Sequence, residues 1–294
     1  CALLVPSIFT IPFLLDCNQG TSHDQQVDFL LYCSFSLARG RCRCWAEFTR
    51  QNRLARPTAL ACASSSSCRA VPCRYCHNVD TWPLDKGSET SADDLLDKAE
   101  RYRGYWGPQG GITVSGGEAL LQAEFVLELF TKAHERHVNT CLDSSLAPFT
   151  RASPFFDTFV QLMGVTDLVL ADIKHIDAQE HRSLTGHGNE NILDCLRYLS
   201  EAKVPVWIRH VLVPGITDND GYLRRTRGFI ETLDNVERIE VLPYHSLGAY
   251  KWEQLNIPYT LGGVQPPSHE RVTNAERILR GEQDVPLDNE AKEA

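Results

Sequence analysis

From about residue 90 onward the sequence alternates helical and strand signals at short intervals, and no other feature restricts the possible folds as much. Ser91, followed by Asp94 and then Leu95, Leu96, Ala99 and Tyr102, predicts a capped amphipathic helix. GITVSGGE predicts a strand ending in two glycines, EFVLELFTKAHER a helix, and HVNTCLDSS a strand ending at Asp143. Beyond PFFDTFVQLMG, the apolar run TDLVLADIK predicts a buried strand. A helix in NILDCLRYLSEA, a strand in VPVWIRHVLVPG, a helix around GYLRRTRGFIETL and a strand in RIEVLPYH follow. Near-continuous apolar strands separated by helices imply a parallel sheet with helices packed on its outside. The predicted fold class is α/β, and a parallel barrel or partial barrel fits.

Polar residues interrupt this pattern at one recurring place. Ser115, Gly116, Gly117 and Glu118 follow one predicted strand, and Asp143 and Ser144 a second. Asp172 and Lys174 follow a third, Arg209 lies late in a fourth, and His245 closes a fifth. In a parallel α/β barrel the carboxyl ends of the strands share one face, so these groups are expected to meet in a single pocket. Asp172 and Lys174, two apart on a strand, point to the same face, where a salt-bridged structural pair is the competing reading.

Composition narrows the functional classes. With 294 residues, 43% apolar and 23% charged, the chain is neither disordered nor fibrous nor a multi-pass membrane protein. A net charge of -9 offers no basis for binding nucleic acid or an anionic membrane through net charge. The apolar run ALLVPSIFTIPFLL at residues 2 to 15 is broken by two prolines and is too short to span a bilayer, and no basic stretch or methionine precedes it, so a cytoplasmic location is expected. Residues 1 to 67 stand apart, with six arginines, four acidic residues and no lysine. Nine of the eleven cysteines lie at or before Cys76, a clustering that argues against a disulfide scaffold.

CRAVPCRYCHN places Cys68, Cys73, Cys76 and His77 within ten residues. Thiolates this close can bind a zinc ion or an iron-sulfur cluster, or act as a redox pair, and a lone CxxC can also be two unremarkable cysteines. Three cysteines without a fourth suit a cluster with one iron left open. The SGGE turn alone marks a tight turn or a place where a ligand approaches the backbone closely. His245 alone reads equally as a core histidine.

Taken together, YCHNVDTW, ITVSGGEALLQAEFV, TCLDSS, TDLVLADIK, VWIRHVLVPG and LPYHSLGAYKWEQL closely resemble the radical S-adenosylmethionine (SAM) family, and within it the activating enzymes of pyruvate formate-lyase. The resemblance runs from about Cys73 to Arg280. It implies a [4Fe-4S] cluster held by three cysteines, with SAM chelating the open iron. Reductive cleavage of SAM then yields a 5'-deoxyadenosyl radical, which takes a hydrogen from a glycine of pyruvate formate-lyase. Carried over by position, Cys68, Cys73 and Cys76 are the cluster ligands, and Tyr75 and His77 lie beside the SAM adenine. Gly116, Gly117 and Glu118 meet the methionyl amino group, and Asp172, Ile173, Lys174 and His245 are further SAM contacts. Asp143, Ser144, Leu170 and Asp172 fall where the family binds a monovalent cation, with Ser144 replacing threonine and Leu170 replacing methionine. Arg209 would face the glycine-bearing loop of the partner. The resemblance further implies flavodoxin or ferredoxin as electron donor and use under anaerobic conditions.

The sequence departs from the family pattern in one region. The family spacing is CxxxCxxC, whereas four residues separate Cys68 from Cys73, and the family's DGPGxRFxxFxQGC is missing from the first 67 residues. One permitted codon string for Pro57 to Val71, read from its third base, encodes DGPGVRFVVFLQGC. Residues 1 to 72 are therefore read as translated out of frame, with a small deletion at the junction to Cys73. On that reading Cys68 is an accident of frame and the chain binds its cluster poorly.

The expected organisation is an atypical segment at 1–67, read as frame-shifted and poorly ordered, a radical SAM core at 68–280 and a polar tail at 281–294. Two alternatives remain open at this stage: an activator of another glycyl-radical enzyme, and a non-catalytic zinc-stabilised binding protein using Cys68, Cys73, Cys76 and His77.

Overall fold

The computed structural model describes residues 73–77, 79, 88–106, 110–116 and 118–282, together with the backbone of three earlier strands, β1 (Asp28–Ser36), β2 (Arg41–Thr49) and β3 (Thr58–Cys62). Cys68, Gly117 and most of the 281–294 tail lie outside the described residues. The chain divides into two compact units, one of Cys1–Arg69, Asn78–Ser144 and Pro148–Val169, the other of Ala70–His77, Ser145–Ala147 and Leu170–Ala294.

In the first unit the strand order is β4-β2-β1-β3-β5-β6, with β4 at Ser88–Thr90, β5 at Gly111–Gly116 and β6 at Asn139–Ser144. β2 runs antiparallel to its neighbours, while the β1/β3, β3/β5 and β5/β6 pairs are parallel. Three helices accompany them. In α1 (Ala92–Glu100) the hydroxyl of Ser91 accepts from the Asp94 amide at 3.1 Å, and Ala92, Leu95, Leu96 and Ala99 bury one stripe. In α2 (Ala123–Glu135) Val126, Leu129, Phe130 and Ala133 do the same, and in α3 (Phe155–Met163) Phe159, Leu162 and Met163. A short 3-10 turn, Ala119–Gln122, leads into α2 with Glu118 as its cap.

β7 (Leu168–Asp172) carries the chain into the second unit, where the order is β7-β8-β9. β8 (Val206–Leu212) and β9 (Val236–Pro243) pair in parallel with a register shift at Val206/Trp207. The helices are α4 (Ala178–Thr185), α5 (Glu190–Glu201), α6 (Asp220–Ile230), α7 (Ala249–Gln254) and α8 (His269–Arg280). Leu212, Val241, Leu223, Ala275, Ile278 and Leu279 join β8, β9, α6 and α8 in one buried cluster. A second cluster, Tyr75, Leu184, Val213, Tyr244 and Leu261, forms beneath the cysteine segment. The α/β class read from the alternating pattern is the class observed, with parallel strands separated by helices.

Candidate active site

The segment Cys73–His77 is a single turn, closed by the Cys76 amide donating to the Cys73 carbonyl at 2.9 Å. Its position is over-determined. The Arg74 amide donates to the Leu184 carbonyl at 3.1 Å, the Arg74 Nε to Thr260 Oγ1 at 3.2 Å, and the Tyr75 ring, only 6% exposed, is sunk in the second core cluster. Cys73 and Cys76 are half-buried. Burial pushes the Cys73 thiol up, and the Lys174 ammonium opposes that shift.

Lys174 belongs to a charge cluster on the strand ends of the same unit. Its Nζ lies 3.2 Å from Asp172 Oδ2 and 5.4 Å from the centre of the Tyr75 ring, while Arg209 Nε lies 3.2 Å from Asp172 Oδ1. Burial works to raise the Asp172 carboxyl, but Arg209 and Lys174 outweigh it and hold the group below the usual carboxylate range. Burial likewise opposes the charge on Lys174, yet Asp172 keeps the ammonium well above its ordinary value. The side chain of Ile173 turns into the core, its amide donates to the Arg209 carbonyl, and its carbonyl accepts from His210 Nδ1 at 2.8 Å. Asp172 and Lys174 thus share a face, and the shared face holds a second cation.

His77 and His245 meet as stacked rings, with centroids 4.3 Å apart and planes 20° from parallel, and His77 Nε2 donates to the His245 carbonyl at 3.1 Å. Desolvation, with His77 adding to it, lowers the His245 imidazole to about 4, and burial also lowers His77. The zinc reading needs His77 on a common centre with Cys73 and Cys76. Among the described residues no three His, Cys, Asp or Glu side chains are placed to share an ion, and the His77 ring is engaged by His245.

The first unit brings together a separate group. Ser115 Oγ donates to Asp143 Oδ2 at 2.8 Å, and Glu118 Oε1 accepts from Ser144 Oγ at 2.5 Å and from the Leu120 amide at 3.0 Å. Gly116 ends β5. Leu170 lies on β7, partly exposed.

Two further residues on the cysteine turn's surroundings were not singled out by sequence. Trp252, 3% exposed on α7, donates its indole Nε1 to the Cys76 carbonyl at 2.9 Å, and Gly248 sits against His77. Both fall inside the quoted stretch LPYHSLGAYKWEQL, where a Gly and a Trp four apart at a helix start were the available signal. A cavity of about 410 Å³ in the second unit is lined by Arg74, Glu180, Asp218 and Tyr222 among others, and contains none of the expected site residues. Among the described residues no helix is long and apolar enough to cross a membrane.

A family model described as the radical SAM superfamily matches residues 66–224. The chain is 49% identical over 212 residues to the pyruvate formate-lyase-activating enzyme of Streptococcus mutans, covering 71% of this chain and 81% of that one. It is 45% identical over 208 residues to the enzyme of the same name from Listeria monocytogenes, covering 70% and 84% respectively. Among solved structures it is similar to a radical SAM methyltransferase from Sphaerobacter thermophilus, with a TM-score of 0.56 at 17% identity over 85% of this chain and 74% of the other, a likeness of fold.

Proposed function

Because the chain belongs to the radical SAM superfamily, we propose that it performs the reaction for which its relatives of 45–49% identity are named, the activation of pyruvate formate-lyase. The observation that carries the reading is the identity of 45–49% over more than 200 residues to these relatives, beside a radical SAM match over residues 66–224 that spans Cys73–His77. The cofactors are a [4Fe-4S] cluster and SAM. When bound, the reduced cluster would supply one electron to the sulfonium of SAM, releasing methionine and a 5'-deoxyadenosyl radical able to take a hydrogen atom from a glycine of pyruvate formate-lyase.

Cys73 and Cys76 would hold two irons. They fit the task as soft sulfur donors held on one rigid turn. Lys174 would attract the carboxylate of the methionyl group, since its partnership with Asp172 keeps it charged. Glu118, fixed by Ser144 and the Leu120 amide, would accept from the methionyl ammonium beside Gly116 and Gly117. Tyr75 and His77 would lie beside the adenine, with Ile173 and His245 as further SAM contacts, and burial of the His77 and His245 rings favours their neutral form. Arg209 would face the partner's glycine-bearing loop. Flavodoxin or ferredoxin would deliver the electron, in the cytoplasm under anaerobic conditions. Cys68 would be the third thiolate only if residues 1–72 are in the authentic frame.

The test is iron and acid-labile sulfide content, with an electron paramagnetic resonance spectrum of the reduced protein with and without SAM. A cluster signal that changes on adding SAM supports the reading. A colourless protein that binds zinc instead would sink it. Activation assays against several glycyl-radical enzymes decide whether pyruvate formate-lyase is the partner.

A further inference from the structure

The last two residues of the cysteine turn are gripped by a segment that follows them by about 170 positions. Gly248 precedes α7 and Trp252 lies four residues on, so both occupy the helix face turned to the cysteine turn. A Cβ at Gly248 would fall 2.8 Å from the Cα of His77, and the His245 backbone and ring engage His77 from the other end of the segment. Trp252 completes the grip. Its Nε1 donates to the carbonyl of Cys76 at 2.9 Å, and its ring is buried against Tyr259 with centroids 5.2 Å apart. Of these contacts, the Trp252 hydrogen bond delivers a dipole to a cysteine, while those of Gly248 and His245 act on His77.

Resting on the cluster reading above, we propose that Trp252 is a positioning residue for the cluster, acting through Cys76 on both the placement of its thiolate and the reduction potential. The positive end of the indole N–H dipole points at the backbone of a cluster ligand. A reduced cluster carries more negative charge than an oxidised one, so the dipole favours the reduced state, as hydrogen bonds around ligand sulfurs do. Without the donor, reduction becomes harder and the electronic asymmetry at that corner changes.

Trp252→Phe removes the N–H and keeps an aromatic ring against Tyr259, while Trp252→Ala also removes the packing. Wild type and both variants are reconstituted anaerobically as whole 294-residue chains. Iron and sulfide content, the reduced-state electron paramagnetic resonance spectrum and the midpoint potential from a dye-mediated titration are then compared. The expected result is that Trp252→Phe retains the wild-type iron content with a midpoint shifted to lower potential and altered g values, and that Trp252→Ala loses iron. A Phe variant with wild-type potential and g values overturns the proposal and leaves the cluster reading standing. A chain that takes up no iron even with the upstream frame restored overturns the cluster reading, and the role of Trp252 falls with it.

Discussion

The carboxylate of Asp172 stands 3.2 Å from the guanidinium Nε of Arg209, and its other oxygen is the same distance from Lys174. One anion therefore compensates two cations whose side chains are each only 17% exposed. Asp172→Asn removes that compensation from both. Breaking a fully buried ion pair costs about 3–5 kcal/mol, and the partial exposure here reduces the expected loss to roughly 2 kcal/mol. Urea unfolding at pH 7 measures it. Since the native carboxyl titrates below its ordinary value, the contribution is complete above about pH 4 and is lost as pH falls through the native value. The gap between wild type and variant should be flat from pH 7 to 5 and close only at lower pH.

His181 gives the opposite pH range. It is 1% exposed, and its Nδ1 donates to the His187 carbonyl at 2.7 Å. Burial lowers the imidazole to about 4. The unfolded chain therefore binds a proton that the folded chain refuses between about pH 6.5 and 4, and stability falls as pH drops through that interval. His181 alone should remove roughly 2 kcal/mol between pH 7 and 5. His181→Asn, which keeps an N–H for the His187 carbonyl, should flatten the pH dependence of the urea midpoint by about that amount. An unchanged slope would mean that the buried imidazole is not what titrates.

Helices with an apolar stripe were legible in the sequence, because burial followed the 3.6-residue period directly, as Ile192, Cys195, Leu196 and Leu199 do in α5. α4 was not, since its buried face is His181, Leu184 and Thr185, and two of those three read as polar surface. α8 was missed for a related reason. Its inward residues, Ala275, Ile278 and Leu279, sit in an otherwise charged stretch behind the proline-rich loop. The strand-end residues were legible as exceptions to apolar runs. The contact of Trp252 with Cys76 was not, because no local period links residues 176 positions apart.

Gly248 should accept no side chain. A methyl there meets the backbone and ring of His77, neither of which is a flexible chain end, so Gly248→Ala should cost about 1–3 kcal/mol by overpacking. The comparison is Gly263→Ala, where nothing lies within 4 Å of the added carbon and stability should stay within about 0.5 kcal/mol. Thermal unfolding of the two variants under identical conditions separates a local clash from a general intolerance of glycine replacement.

Ser144 is 2% exposed and holds Glu118 Oε1 at 2.5 Å. A hydrogen bond to a charged group is worth about 1.5–3 kcal/mol, so Ser144→Ala should lose stability in that range and let the Glu118 carboxylate move. If Glu118 receives the methionyl ammonium of SAM, titration calorimetry should find weaker SAM binding in Ser144→Ala. Ser144→Thr, which restores the hydroxyl, should bind SAM as the wild type does. Equal affinity in all three would separate Glu118 from the ligand.

Cys68 and Cys73 should respond differently to loss of their thiols. Cys73 lies on a turn fixed by the Arg74, Cys76 and Trp252 hydrogen bonds, so its sulfur has one defined position relative to Cys76. Four residues separate Cys68 from it where the family spacing has three, and Cys68 lies inside the stretch for which one permitted codon string, read in another frame, encodes DGPGVRFVVFLQGC. Three thiolates must reach three corners of one rigid cluster. On the out-of-frame reading, Cys73→Ser should abolish what iron the chain takes up, and Cys68→Ser should leave the iron content unchanged. Restoring the upstream frame, with its own cysteine ahead of Cys73, should raise iron towards four per chain. Equal losses from Cys68→Ser and Cys73→Ser, with an uninterrupted frame in the gene, would make Cys68 an authentic ligand that accommodates the extra residue.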